Sequence, residues 1–106
     1  MLLIEKPKLN QVASGLYYEE ETDCFCMVGW ILHKLGVPKE ALTLDGTINA
    51  GLEPLINTLN FQEYDTRIDG AKARNSQIEL DKLFDLVLRD MENVGVLEWD
   101  FGSNGS

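Results

Sequence analysis

The stretch ETDCFCMVGWILHKLG, Glu21 to Gly36, gathers both cysteines, a tryptophan and the only histidine of the chain. Between Asp23 and Gly36 the only strongly polar side chains are His33 and Lys34. A helix apolar almost all round is buried by its neighbours, so this segment predicts a central helix over about 23–35. Thr22 or Asp23 can cap its first amides, and the acids Glu19, Glu20, Glu21 and Asp23 complement its dipole. Gly36 suits the position just past its end, and Pro38 bars continuation. Gly29 costs about 1 kcal/mol of helix propensity relative to alanine, which is tolerable where another element crosses close to the backbone. Cys24 or Cys26, with Met27, Ile31 and Leu35, are the expected core positions.

Working outward, Pro7 with Leu9, Val12 and Ala13 before Gly15 predicts a short N-terminal helix. Asp45-Gly46 signals a turn or small hairpin near 43–49. Pro54 suits the start of a helix, and Leu55, Ile56 and Leu59 extend a helical stripe, so a short helix is expected over about 53–60. The stretch FQEYDTRIDGAKARNS, from Phe61, reads as a loop with a short strand around Tyr64–Ile68. Leu80, Leu83, Phe84, Val87, Leu88 and Met91 then form one apolar stripe of a long amphipathic helix over about 76–92. Asn75 or Ser76 caps that helix and Gly95 closes it. VLEWDF is expected as a terminal strand, and residues 102–106 as a flexible tail after a single globular domain over 1–101. The fold class is α+β and mostly helical, a single small domain with minor β-hairpin or strand elements.

Composition bounds the function. A chain of 106 residues with 44% hydrophobic and 25% charged side chains can bury a core without staples. No apolar run reaches the length of a membrane span, and MLLIEKPK does not read as a secretory signal, so a cytoplasmic protein is expected. Eighteen acids against nine lysines and arginines leave a net charge of −9. That charge repels nucleic acid and anionic membranes and favours a basic partner. The patch of Arg67, Lys72 and Arg74 is too small to reverse it.

The chemistry-bearing residues do not assemble an active site. Cys24 and Cys26 are two apart, so on a helix their side chains diverge and do not pair. With one histidine they cannot close a zinc site in a single copy. A thiol at a helix N-terminus can be activated by the dipole, but it needs a base. His33, seven residues beyond Cys26, lies about 10 Å further along the helix axis. GTINAG lacks the lysine of a phosphate loop and the third glycine of a dinucleotide fingerprint. No catalytic residue, metal or cofactor is expected.

Two acidic clusters beside aromatic residues remain, and aromatics flanked by carboxylates suit recognition of a basic surface. One is Glu19, Glu20, Glu21 and Asp23 beside Tyr17 and Tyr18. The other is Asp90, Glu92, Glu98 and Asp100 with Trp99 and Phe101, its contact residues being Glu98, Trp99, Asp100 and Phe101. Carboxylates after a last helical turn oppose the dipole and gain nothing for the fold, which favours the second set, with an exposed Trp99 as anchor.

DCFCMVGWILHKLGVP resembles a group of small phage and prophage proteins with an FCCLGVLC-like helix. In these a short proline-started helix and a final helix follow. Here CFCMVGWIL stands in the first position, Leu52 to Phe61 in the second, and Arg74-Asn75-Ser76 with the last helix in the third. Phe25 replaces one of the adjacent cysteines, and Trp30 and Leu32 replace the usual small residue and cysteine. The resemblance implies a phage-like origin and an α-rich fold, and no activity. The expected function is that of a small acidic, non-catalytic module binding another protein with a basic surface. A phage-encoded inhibitor or modulator of a host protein, acting in one form by mimicking DNA, is such a case. The alternatives are a cysteine-dependent enzyme using Cys24 or Cys26, and a structural or virion-associated protein.

Overall fold

A computed structural model describes residues 3–101; the tail expected over 102–106 lies outside them. Among the described residues are five α-helices and one two-stranded antiparallel sheet. The helices are α1 (Met27–Lys34), α2 (Lys39–Leu42), α3 (Glu53–Ile56), α4 (Phe61–Ala73) and α5 (Gln77–Asn93). Strand β1 (Tyr18–Glu19) pairs with β2 (Cys24–Phe25), Tyr18 opposite Phe25 and Glu19 opposite Cys24. On the other side of β2, Val12 makes an isolated parallel bridge to Phe25. The small α+β, mostly helical class expected from sequence is the one observed.

Helix α1 is the centre. Met27, Val28, Gly29, Trp30, Ile31 and Leu32 are all buried, and the helix packs against both α4 and α5. Its end is a Schellman motif: Gly36 N–H donates to His33 O and Val37 N–H to Leu32 O, both at 3.0 Å, with Gly36 at φ +120°. Gly29 is required by a crossing element. A Cβ there would lie 2.7 Å from the Tyr17 carbonyl carbon and 2.8 Å from its Cα, with the carbonyl oxygen closer still.

Helix α5 follows the expected stripe, with Leu80, Leu83, Phe84, Val87 and Met91 buried. Ser76 caps it, its hydroxyl accepting from Glu79 N–H at 3.2 Å. Asn75, at φ +50°, closes α4 in a second Schellman turn, where Ser76 N–H donates to Ala71 O.

Several expected elements differ. The segment read as a loop with a strand near Tyr64–Ile68 is helix α4. Phe61, Tyr64, Ile68 and Ala71 recur at helical spacing and pack inward, and Asn60 Oδ1 accepts from Glu63 N–H. Helix α1 begins at Met27 rather than near 23, because Cys24 and Phe25 pair in the sheet and Cys26, not Thr22 or Asp23, is its N-cap. The helix expected over 53–60 stops at Ile56, since Asn60 is already the cap of α4. The N-terminal helix reduces to a 3-10 turn, Leu9–Gln11, and the terminal strand to another, Val96–Glu98. Residues 43–49 form a turn without strands, in which Gly46 N–H donates to Thr43 O.

Candidate functional site

Both cysteines are free thiols and buried. Cys24 and Cys26 are 8% and 2% exposed. The Cys26 sulfur accepts from Gly29 N–H at 3.4 Å as the cap of α1. Burial nonetheless pushes its thiol up to about 12, outweighing the amide that favours the thiolate. Cys24 Sγ faces the carbonyls of Asn10 and Thr22. His33 Nδ1 lies 2.8 Å from Val37 O, and its ring stacks on Phe25 at 5.2 Å. Among the described residues no group of three or more histidine, cysteine or acidic side chains could hold a metal ion. No helix of the described residues is long and apolar enough to cross a membrane.

The first acidic cluster divides by direction. Tyr18 is buried against Phe25 and its hydroxyl donates to Asp23 at 2.7 Å. That hydrogen bond and Lys39, 3.2 Å away, hold the Asp23 carboxyl below its ordinary range. Glu19 accepts from the Thr22 hydroxyl. Glu20 and Glu21 are exposed and make no ion pair among the described residues. Tyr17 turns inward, edge-on to Phe61 with ring centroids 5.7 Å apart.

The second cluster is less exposed than expected. Trp99 packs partly buried on the core, and its Nε1 is inaccessible with no hydrogen-bond partner among the described residues. The indole lies over Gly51, where a Cβ would meet Cη2 at 2.7 Å. Phe101 packs beside Gly36. Glu98 and Asp100 remain exposed on either side of the ring. The aromatic members of this set therefore fasten the last turn to the segments after α1 and before α3.

The fold brings the two clusters to neighbouring concavities. A cleft of about 420 Å³ is lined by Tyr17, Leu42, Ile48, Glu53, Asn57 and Phe61, with Leu16 and Leu44 also contributing. A second, of about 500 Å³, is lined by Val37, Pro38, Thr47, Leu52 and Phe101, and shares Ala41 and Ile48 with the first. Tyr17 thus reaches one cleft and Phe101 the other. Sequence reasoning missed Glu53, Asn57, Leu44 and Phe61 as surface partners of Tyr17; the only signal was apolar Leu44 next to Asp45 in a turn. Leu44 is 77% exposed. Burial, with Cys26 and Glu53 nearby, raises the Tyr17 phenol above its ordinary value.

The three basic residues noted from sequence are all engaged. Arg67 pairs with Glu63, Arg74 makes a two-pronged contact with Glu79, and Lys72 donates to the carbonyls of Leu9 and Val12. The chain matches no family model, no curated protein and no solved structure.

Proposed function

We propose that this protein is a small acidic, non-catalytic module that binds another protein through a basic surface of that partner. The observation that carries the reading is the pattern of unneutralised carboxylates. Glu20, Glu21, Glu40, Asp45, Glu53 and Glu98 are exposed and make no ion pair among the described residues, where five such pairs occur. An acidic surface left without counter-charges steers a positive partner and rejects nucleic acid. Burial of both thiols supports binding over cysteine chemistry, because the thiolate is the reactive form.

The concrete form of this proposal is a phage-encoded inhibitor or modulator of a host protein in the cytoplasm, acting in one version by mimicking the charge of DNA. Capture from host lysate by the immobilised chain, at low and at high salt, tests it. A stoichiometric basic protein is expected at low salt and is released as salt screens the attraction. Recovery of no stoichiometric partner at low salt refutes the reading.

A further inference from the structure

We propose that the cleft between Tyr17, Phe61 and Glu53 receives an arginine side chain from a basic segment of the partner protein. The inference rests on the binding-module reading and gives it a site.

The cleft floor is apolar: Leu42 and Ile48 are 1% and 7% exposed. Tyr17 and Phe61 stand edge to face on one wall. Glu53 is the one charged residue lining either of the two neighbouring clefts, and no lysine, arginine or histidine lines them. The side chains of Glu53 and Asn57 are exposed and make no hydrogen bond or ion pair among the described residues. Glu40 and Asp45 flank the lining residues Ala41 to Leu44 in sequence, are exposed and make no ion pair among the described residues.

An apolar floor, aromatic walls, one carboxylate and one amide oxygen together match a single side chain. Arginine has an aliphatic stem for Leu42 and Ile48 and a planar, weakly hydrated guanidinium for the rings. Its five donors can be divided between Glu53 and Asn57. Lysine supplies the charge but not the plane, and a neutral apolar chain leaves Glu53 unanswered. Leu16 and Leu44 at the rim would cover apolar residues on either side of the arginine.

The test is titration of the isotope-labelled full chain with the peptide acetyl-Gly-Leu-Arg-Leu-Gly-amide, followed by amide shifts. Matched peptides carry citrulline, lysine or norleucine in place of arginine. Saturable shifts at Gly46, Phe61 and the Asn57 side-chain amide are expected, with citrulline and norleucine binding more weakly. Glu53→Gln should weaken the arginine peptide about three- to tenfold, the range of a partly exposed charged pair. Glu92→Gln, on an exposed site of α5, should leave it unchanged. Equal affinity for the norleucine peptide, shifts confined to Glu19–Glu21, or no saturable shift at millimolar peptide each overturns the arginine site. A Glu53→Gln chain that still captures its lysate partner in full would overturn this site alone. Failure of the unaltered chain to capture any partner would overturn the wider reading, while the titration still decides the cleft.

Discussion

Replacing Gly29 by alanine sets two physical effects against each other. Helix propensity favours alanine inside α1 by about 1 kcal/mol, so a local argument predicts a more stable protein. The tertiary argument predicts the reverse. The added methyl would sit 2.7 Å from the Tyr17 carbonyl carbon and 2.8 Å from its Cα, and those are backbone atoms that cannot rotate away. Relief requires α1 and the 16–18 segment to separate. That motion strains the bonds from Cys26 N–H to Leu16 O and Tyr17 O, now 3.2 and 3.3 Å. Overpacking costs about 1–3 kcal/mol and an orphaned buried amide about 1–3 more, so after the propensity gain the net loss is about 1–5 kcal/mol. For a domain of this size 1 kcal/mol is about 4–8 °C, so the melting temperature should fall by roughly 4–40 °C. Urea unfolding followed by tryptophan fluorescence measures the difference directly. A G29A protein as stable as the parent, or more so, would refute the close crossing.

Other expectations follow from single contacts. Because the Cys26 thiol is raised from 9.0 to about 12, its contribution is complete below pH 9.0 and is lost as pH rises toward 12, by about 1.4 kcal/mol per unit. Tyr64, raised chiefly by burial and then by its bond to Asp90, adds a loss of the same sign above its ordinary value of 10.0. Cys26→Ser, which keeps an acceptor for Gly29 N–H, should flatten the alkaline slope of the urea midpoint; an unchanged slope contradicts the assignment. Native protein should react slowly with an aromatic disulfide reagent at both thiols and rapidly in denaturant, and fast native modification of both would show that α1 is not buried. Tyr64→Phe removes a 2.6 Å hydrogen bond to Asp90 and should cost about 1–2 kcal/mol in urea unfolding, against no change if the contact carries nothing. Ser76→Ala should cost about 1 kcal/mol through the cap of α5, read in the same assay.

What could be read in advance was whatever depended on strong local pattern. The apolar run of α1, the stripe of α5 from Leu80 to Met91, and Gly36 at a helix end are each set by neighbours in the chain. Even the crossing at Gly29 was implied, since glycine inside so apolar a helix needs a reason. Helix α4 was missed because its stripe is one residue wide. Phe61, Tyr64, Ile68 and Ala71 are separated by charged residues and Gly70, so polarity outweighed spacing. The start of α1 was misplaced because strand pairing of Cys24–Phe25 depends on Tyr18 and Val12, which no window around the cysteines contains. The candidate site suffered similarly. Tyr17 was noted for its neighbours in sequence, whereas its neighbours in space come from α3, α4 and the turn at 43–48. Trp99 reads from sequence as a contact residue, because its packing over Gly51, nearly fifty residues earlier in the chain, has no local signature.

The arm before the sheet has a consequence for folding order. Gln77 treats it as a strand partner would, accepting from Leu9 N–H at 3.1 Å and donating to Pro7 O at 2.9 Å. Lys72 holds Leu9 O and Val12 O, and Trp30 Nε1 donates to Glu5 O at 2.7 Å. The Gln77 and Lys72 bonds span 60 to 70 residues of sequence. Closing so long a loop costs entropy that only a pre-assembled partner can offset. The α4–α5 junction, built from local caps, is therefore expected to form before the arm docks on it. In native-state hydrogen exchange the Leu9 amide should accordingly open with its own small free energy, well below that of the amides within α1 and α5.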